Sequence, residues 1–131
     1  MTPSTILAVA VGGALGSVAR YAVATAAVRL FGTGFPWGTM IVNALGCFTM
    51  GVLAELAVHV WSPPVEIRAL VMVGVLGGFT TFSSFALDVG FLTGRGALGE
   101  AAAYALGTLI LTVGGFFAGL SIVRALVSVP T

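Results

Sequence analysis

The chain consists almost entirely of four apolar stretches, and each is long enough to cross a lipid bilayer. A transmembrane helix needs roughly 20 consecutive apolar residues. The four stretches run over Ile6–Leu30, Trp37–Trp61, Ile67–Leu92 and Ala97–Val127. Charged residues make up only 7% of the 131 residues, whereas about a quarter of a soluble domain is charged. The sequence therefore predicts an all-α, multi-pass membrane protein, with one four-helix transmembrane domain over residues 1–131 surrounded by the lipid bilayer.

The arginines are balanced across the membrane. Four spans put both termini on one side, here called side A, and the connections after the first and third spans on the opposite side B. Arg68 and Arg124 lie near side A, and Arg29 and Arg95 near side B. Orientation is set by an excess of positive charge on one side, so this tally sets none. We expect the chain to insert both ways up, with dual topology, and to form an antiparallel homodimer.

The third stretch contains a segment that disfavours a continuous helix, Gly77–Phe85. Each of its two leading glycines weakens a helix by roughly 1 kcal/mol relative to alanine. A backbone that leaves helix inside a membrane survives only where it lines a cavity, binds an ion or is covered by protein. We expect a broken third helix whose free carbonyls, from Gly77 to Thr80, suit a cation such as Na⁺. Alternatively, the glycines only allow close packing and the phenylalanines only face lipid.

Uncharged polar side chains and two phenyl rings of the last three spans fall at a similar depth in the side-B half. No carboxylate is among them, and amides, hydroxyls and the positive edges of phenyl rings all suit a small anion. Alternatively, the threonines bond the carbonyls of their own helix and the asparagine joins two helices. The residues are Thr39, Asn43, Phe82, Phe85, Tyr104, Thr108 and Thr112.

The remaining charged residues indicate no enzyme. Arg20 lies inside the first span and is expected to reach toward side B, to pair with Asp88, or to attract anions. Glu55 and His59 are four residues apart near side A, and an interfacial pair is expected rather than a metal site. No catalytic triad, phosphate-binding loop or cysteine cluster occurs, and a net charge of +1 does not favour nucleic acid as a partner.

Three motifs resemble those of the Fluc (CrcB) family of fluoride channels. They are Gly12–Tyr21, Pro36–Asn43 followed by Gly46, and Gly74–Phe85. They occur in the family's order and cover nearly the whole chain. The family more often has threonine at the position of Ser84 and commonly serine at those of Thr108 and Thr112, but the hydroxyl is kept in each case.

The resemblance implies a dual-topology homodimer in the cell inner membrane, with two antiparallel pathways that export fluoride passively from the cytoplasm. Asn43 and the ring edges of Phe82 and Phe85 would contact fluoride. Arg20 would have a structural or electrostatic role near an entrance. Hydroxyls along the fourth span would line the track, and two backbone carbonyls of the third span would hold a structural Na⁺ that is not transported. These residues are Tyr104, Thr108 and Thr112 for the track, and Gly77 and Thr80 for the Na⁺.

Two other functions remain open from the sequence. A small multidrug transporter also has four spans and dual topology, but it needs a carboxylate within the membrane for proton coupling, and the first span has none. A non-transporting assembly subunit is consistent with the glycine pairs at four-residue spacing, which allow helices to approach closely. These pairs are Gly12 with Gly16, Gly74 with Gly78, Gly90 with Gly94, and Gly115 with Gly119.

Overall fold

A computed structural model describes residues 2–127, and over this range all regular structure is helical. Four helical segments are long and apolar enough to cross a membrane. They are α1 (Pro3–Phe31), α2 (Trp37–His59), a third span (Val65–Gly94) and α6 (Leu98–Val127). The predicted all-α membrane fold with four spans is confirmed, and the predicted ends differ from the observed ones by at most three residues.

The ends of α1 follow from local sequence. Thr2 precedes the helix, and its hydroxyl accepts a 3.3 Å hydrogen bond from the amide of Thr5, while Pro3 occupies the first turn, where its missing N–H is not needed. At the other end Gly32 has φ +78°, and its amide donates to the carbonyl of Val28 over 2.9 Å. A glycine reaches this left-handed region without steric cost, so it ends the helix.

The third span is made of four pieces. It begins with α3 (Val65–Arg68), continues as a π-helix (Ala69–Leu76) and a short α4 (Gly77–Phe79), and resumes after two residues as α5 (Phe82–Gly94). Nothing in the sequence analysis anticipated the π-helix, in which each amide bonds the carbonyl five residues back.

Glycines allow close packing of α1 against the π-helix and of α2 against α6. Gly12 and Gly16 bring α1 against the carbonyls of Leu70 and Val75 in the π-helix, where a methyl group would have no room. On the other side of the molecule Gly51 and Gly119 join α2 to α6, each against a carbonyl of the facing helix. Small residues thus allow the backbones to touch in the absence of a hydrophobic driving force between helices in lipid.

By contrast, α5 is weakly covered by the rest of its own chain. Only Leu92 of its 13 residues is buried. Gly90 and Gly94, which share the spacing of the packed pairs, have no neighbouring atoms within 4 Å where a side chain would start. The close approach expected of this pair does not occur within the monomer, so this surface of α5 is open to lipid or to another copy.

An ion pair ties α2 to α6 near side A. Glu55 is buried and accepts hydrogen bonds from Nε and a terminal nitrogen of Arg124, at 2.8 and 3.2 Å. His59 adds a third contact, with its Nε2 3.0 Å from the Glu55 carboxylate. The expected pairing of Glu55 and His59 is therefore observed, and Arg124 is an additional partner.

Candidate functional site

Two extended residues interrupt the third span near its middle. Thr80 has φ −82° and ψ 159°, and Thr81 has φ −155° and ψ 123°. The hydroxyl of Thr81 accepts a 3.2 Å hydrogen bond from the amide of Ser84, which caps the start of α5. Gly77 and Gly78 themselves are helical. The backbone therefore leaves the helix after the glycines, and Gly78 packs against the backbone of Gly13 in α1.

Asn43 joins α2 to this interruption. Its Oδ1 accepts a 2.7 Å hydrogen bond from the amide of Thr81, and its Nδ2 donates one of 2.9 Å to the carbonyl of Thr81. Asn43 is buried, with 7% of its surface exposed. Both polar atoms of its side chain are thus engaged by one residue of the extended segment, and one N–H of the amide has no assigned partner there.

A cavity of about 280 Å³ lies near side B, and a second cavity of about 230 Å³, here called the central cavity, lies beside the extended segment. The central cavity brings together five of the seven residues predicted for the anion pathway, along with Thr80. Within the described part of the chain, no charged side chain lines it. Its lining residues are Asn43, Cys47, Thr80, Thr81, Phe82, Phe85, Thr108, Leu109 and Thr112.

The two threonines of α6 that line the central cavity differ in their bonding. The hydroxyl of Thr112 donates to the carbonyl of Thr108 over 2.8 Å, as the alternative interpretation of these threonines expected. The hydroxyl of Thr108 is buried and has no assigned hydrogen-bond partner within residues 2–127. A buried hydroxyl without a partner is costly, so an occupant of the cavity that reached this hydroxyl would find an unused donor.

Phe82 and Phe85 line the same cavity from α5, but their environments differ. Their ring centroids are 5.3 Å apart. Phe85 is partly buried and packs against the ring of Tyr104, at 5.4 Å. Phe82 is 80% exposed. The monomer therefore closes the central cavity beside Phe85 and leaves it open beside Phe82.

The other two predicted pathway residues lie outside the central cavity. Tyr104 is fully buried, and its hydroxyl donates a 3.0 Å hydrogen bond to Asp88. Thr39 lines the side-B cavity together with Asp88 and Arg95. Tyr104 thus contacts Phe85, which lines one cavity, and Asp88, which lines the other.

The residues predicted for Na⁺ and for the electrostatic role lie on two different spans, Gly77 and Thr80 on the third and Arg20 on α1. Thr80 lines the central cavity. Gly77 is on the exposed surface of the third span, with no atoms within 4 Å of the position a side chain would take. Arg20 is partly buried in α1, and within residues 2–127 no ion pair joins it to Asp88, which is bonded by Tyr104. The pairing of Arg20 with Asp88 is therefore not observed.

Sequence reasoning did not single out Thr81 and Cys47, which also line the central cavity. A hydroxyl residue directly before a new helix is a common capping signal. Its hydroxyl accepts a hydrogen bond from an amide two or three residues later, so the position of Thr81 three residues before Ser84 could have revealed its role. No pattern marks Cys47, whose placement depends on how α2 faces α5.

Comparison with known proteins identifies related sequences over nearly the whole chain. The family described as CrcB-like protein, Camphor Resistance (CrcB), matches residues 7–120. A protein named fluoride-specific ion channel FluC from Rhodospirillum centenum is 58% identical over 123 residues, covering 94% of this chain and 98% of that protein. A protein of the same name from Rhizobium etli is 51% identical over 121 residues, covering 92% and 97%.

A third relative, from Nitrobacter winogradskyi, carries the same name and is 48% identical over 121 residues, covering 92% of this chain and 96% of that protein. All three alignments include the spans that form the central cavity, since each covers more than nine-tenths of both chains. The chain belongs to the CrcB family.

Proposed function

We propose that this protein is a fluoride channel that exports fluoride passively from the cytoplasm across the cell inner membrane. Its relatives are named fluoride-specific ion channels. The observation that carries the proposal is the position of Thr108: this residue lines a cavity with no charged side chain among residues 2–127, and its buried hydroxyl has no assigned hydrogen-bond partner in that range. Such a cavity offers hydrogen-bond donors to an anion and presents no carboxylate to repel it.

Conduction of fluoride requires strong donors that do not trap the ion. Fluoride is small and strongly hydrated, so a pathway must replace its water and still release it at successive sites. The hydroxyl of Thr108 supplies one donor, and the positive edges of Phe82 and Phe85 supply weaker ones. The first amides of α5 begin beside the cavity, and the N-terminal end of a helix favours negative charge. Larger halides gain less from each contact and fit less well.

The working unit in this proposal is an antiparallel homodimer. Phe82 leaves the central cavity open on one side, and α5 buries only Leu92 within its own chain. An interrupted backbone at mid-membrane also needs protein cover. A second copy in the opposite orientation would supply this cover and close both cavities around a two-fold axis in the membrane plane. The two-against-two balance of arginines supports insertion in both orientations.

A structural Na⁺ that is not transported fits the third span. Backbone carbonyls are suitable ligands for such a cation, and bound to them it would neutralise their negative ends within the membrane. The amide that would bond the carbonyl of Gly77 in a continuous helix is that of Thr81, and it donates to Asn43 instead. Gly77 also has open space beside it. Gly77 and Thr80 would hold the ion, with the matching residues of the second copy.

The multidrug-transporter alternative is less well supported. Proton coupling needs a membrane carboxylate that is free to exchange its proton. Glu55 is held by Arg124 and His59, and Asp88 accepts a hydrogen bond from Tyr104. Proton-coupled uptake of a cationic dye by the purified protein would favour that alternative.

Efflux from liposomes that contain only this protein tests the proposed function. Liposomes loaded with potassium fluoride should release fluoride to an external electrode once a potassium ionophore carries the counter-charge, and liposomes loaded with chloride should not. A channel that passes both anions equally would contradict selectivity, and the absence of any fluoride release would contradict the proposal.

A further inference from the structure

The extended segment of the third span is held by a side chain from another helix. In a continuous α-helix each amide bonds the carbonyl four residues earlier. Thr80 still does so, because both its amide and its hydroxyl donate to the carbonyl of Leu76, each over 3.0 Å. Thr81 does not, since its amide donates to Oδ1 of Asn43. The helical bonding pattern therefore stops between these two threonines.

The bonds from Asn43 match the backbone of Thr81 on both sides. One side-chain amide accepts from the Thr81 N–H and donates to the Thr81 carbonyl, at 2.7 and 2.9 Å. Both residues are buried, with 7% and 9% of their surfaces exposed. At mid-membrane no water is available to replace these bonds. Without Asn43, the cheapest partner for the Thr81 amide is the carbonyl of Gly77, which would restore the helix.

We infer that Asn43 is a positioning residue, which keeps the carbonyl of Gly77 available to a cation by holding the amide of Thr81. This inference rests on the proposed function, because it assigns a cause to the proposed Na⁺ site. It differs from the fluoride-contact role that the family resemblance implies for Asn43. The side-chain oxygen and one N–H are already used by Thr81, so at most one N–H remains for an anion.

The inference predicts that changes at Asn43 alter the response of the protein to sodium as well as the passage of fluoride. Asn43→Ala removes both bonds to Thr81. Asn43→Asp keeps an oxygen that accepts from the Thr81 amide but, when ionised, cannot donate to its carbonyl. Phe82→Ile serves as the matched control, because it removes a ring from the central cavity and leaves the Asn43 bonds intact.

Two measurements on detergent-solubilised protein test this without relying on conduction. The first is amide hydrogen exchange in a peptide that covers residues 77–85. The second is the melting temperature in sodium chloride compared with potassium chloride at equal ionic strength. In Asn43→Ala we expect the Thr81 amide to stay protected from exchange, because the carbonyl of Gly77 replaces Asn43 as its acceptor. A rise in exchange at Thr81 by about tenfold or more would mean that the amide has not moved to that carbonyl, and it would count against the inference. The sodium concentration for half-maximal stabilisation should rise by about tenfold or more.

The outcomes separate the possible roles. Phe82→Ile should keep the wild-type exchange and sodium response, and the sodium response of Asn43→Asp should fall between those of wild type and Asn43→Ala. If Asn43→Ala fails to fold, Asn43→Asp decides by the same two readings. An unchanged sodium response in a folded Asn43 variant would overturn the inference, as would a wild-type protein that sodium does not stabilise more than potassium. A wild-type protein that shows these sodium effects but passes no fluoride would refute the proposed function alone.

Discussion

Tyr104 on α6 donates a hydrogen bond of 3.0 Å to Oδ2 of Asp88 on α5, which lines the side-B cavity, and its ring packs on Phe85, which lines the central cavity. Among residues 2–127, Asp88 is the only acidic residue that lines either cavity. In the proposed pathway, an anion that moved between the two cavities would come near the Asp88 carboxylate, which accepts the hydrogen bond of the tyrosine hydroxyl. We therefore expect that removing either the tyrosine hydroxyl or the Asp88 carboxylate changes the rate at which fluoride passes.

Tyr104→Phe should slow fluoride efflux. The change removes the donor and leaves the Asp88 carboxylate without it, and a hydrogen bond to a charged group is worth about 1.5–3 kcal/mol. A barrier higher by about 1.4 kcal/mol slows passage roughly tenfold. Adding Asp88→Asn to the same protein removes the charge and should restore part of the rate. If the double variant is slower than Tyr104→Phe alone, repulsion by Asp88 is not the cause.

Replacing either phenyl ring of the central cavity should abolish fluoride flux. Phe82→Ile and Phe85→Ile keep an apolar side chain but lose the positive ring edge. Efflux from liposomes measures the effect, and size-exclusion chromatography checks that each variant keeps the oligomeric state of the wild-type protein. Phe117→Ile is the control, because Phe117 is 58% exposed on α6 and lines neither cavity. Full flux in both cavity variants would rule out ring edges as donors.

Thr108→Val should reduce flux and raise stability at the same time. Thr108 buries a hydroxyl without a partner, which costs about 1–3 kcal/mol, and valine has nearly the same shape. Thr112→Val should affect flux less, because the Thr112 hydroxyl donates to its own helix. Thr108→Ser keeps the donor and should keep the flux. Thermal unfolding in detergent measures the expected rise in stability, and efflux from liposomes measures the expected fall in flux. A loss of stability in Thr108→Val would mean that the hydroxyl is bonded in the working protein.

Cys47 provides a native probe of the central cavity. It is the only cysteine of the chain and is partly buried against that cavity. A small neutral reagent, methyl methanethiosulfonate, would add bulk there and should inhibit fluoride efflux. Cys47→Ala should be insensitive to the reagent. Complete modification by mass spectrometry with undiminished efflux would place the pathway elsewhere.

The number and limits of the spans could be predicted from sequence because they depend on long apolar runs, prolines and glycines. The neighbourhood of the pathway residues was predicted only in part. Depth along a helix placed Asn43, Thr108 and Phe85 together, since rise per residue is fixed. Depth does not give rotation about the helix axis, so it did not separate Thr39 from the central cavity.

The bonding of individual groups could not be predicted either. Asn43 bonds a backbone rather than standing free, and Thr112 bonds its own helix while Thr108 does not. These choices depend on which of several acceptors lies nearest after the helices have packed. The glycine pair at Gly77 was expected to be the weak point of the helix, yet the chain leaves the helix at Thr80, where Asn43 supplies an alternative partner for the next amide.

The π-helix from Ala69 to Leu76 has a consequence for everything that follows it in the third span. Each of its turns takes up one residue more than an α-helical turn. Rewinding the same residues as an α-helix would rotate the downstream chain about the helix axis. Thr81 would then face away from Asn43, and the rings of α5 away from α6. The rotation of the second half of the third span about its axis therefore depends on the wide turns of the π-helix, which contact the glycines of α1.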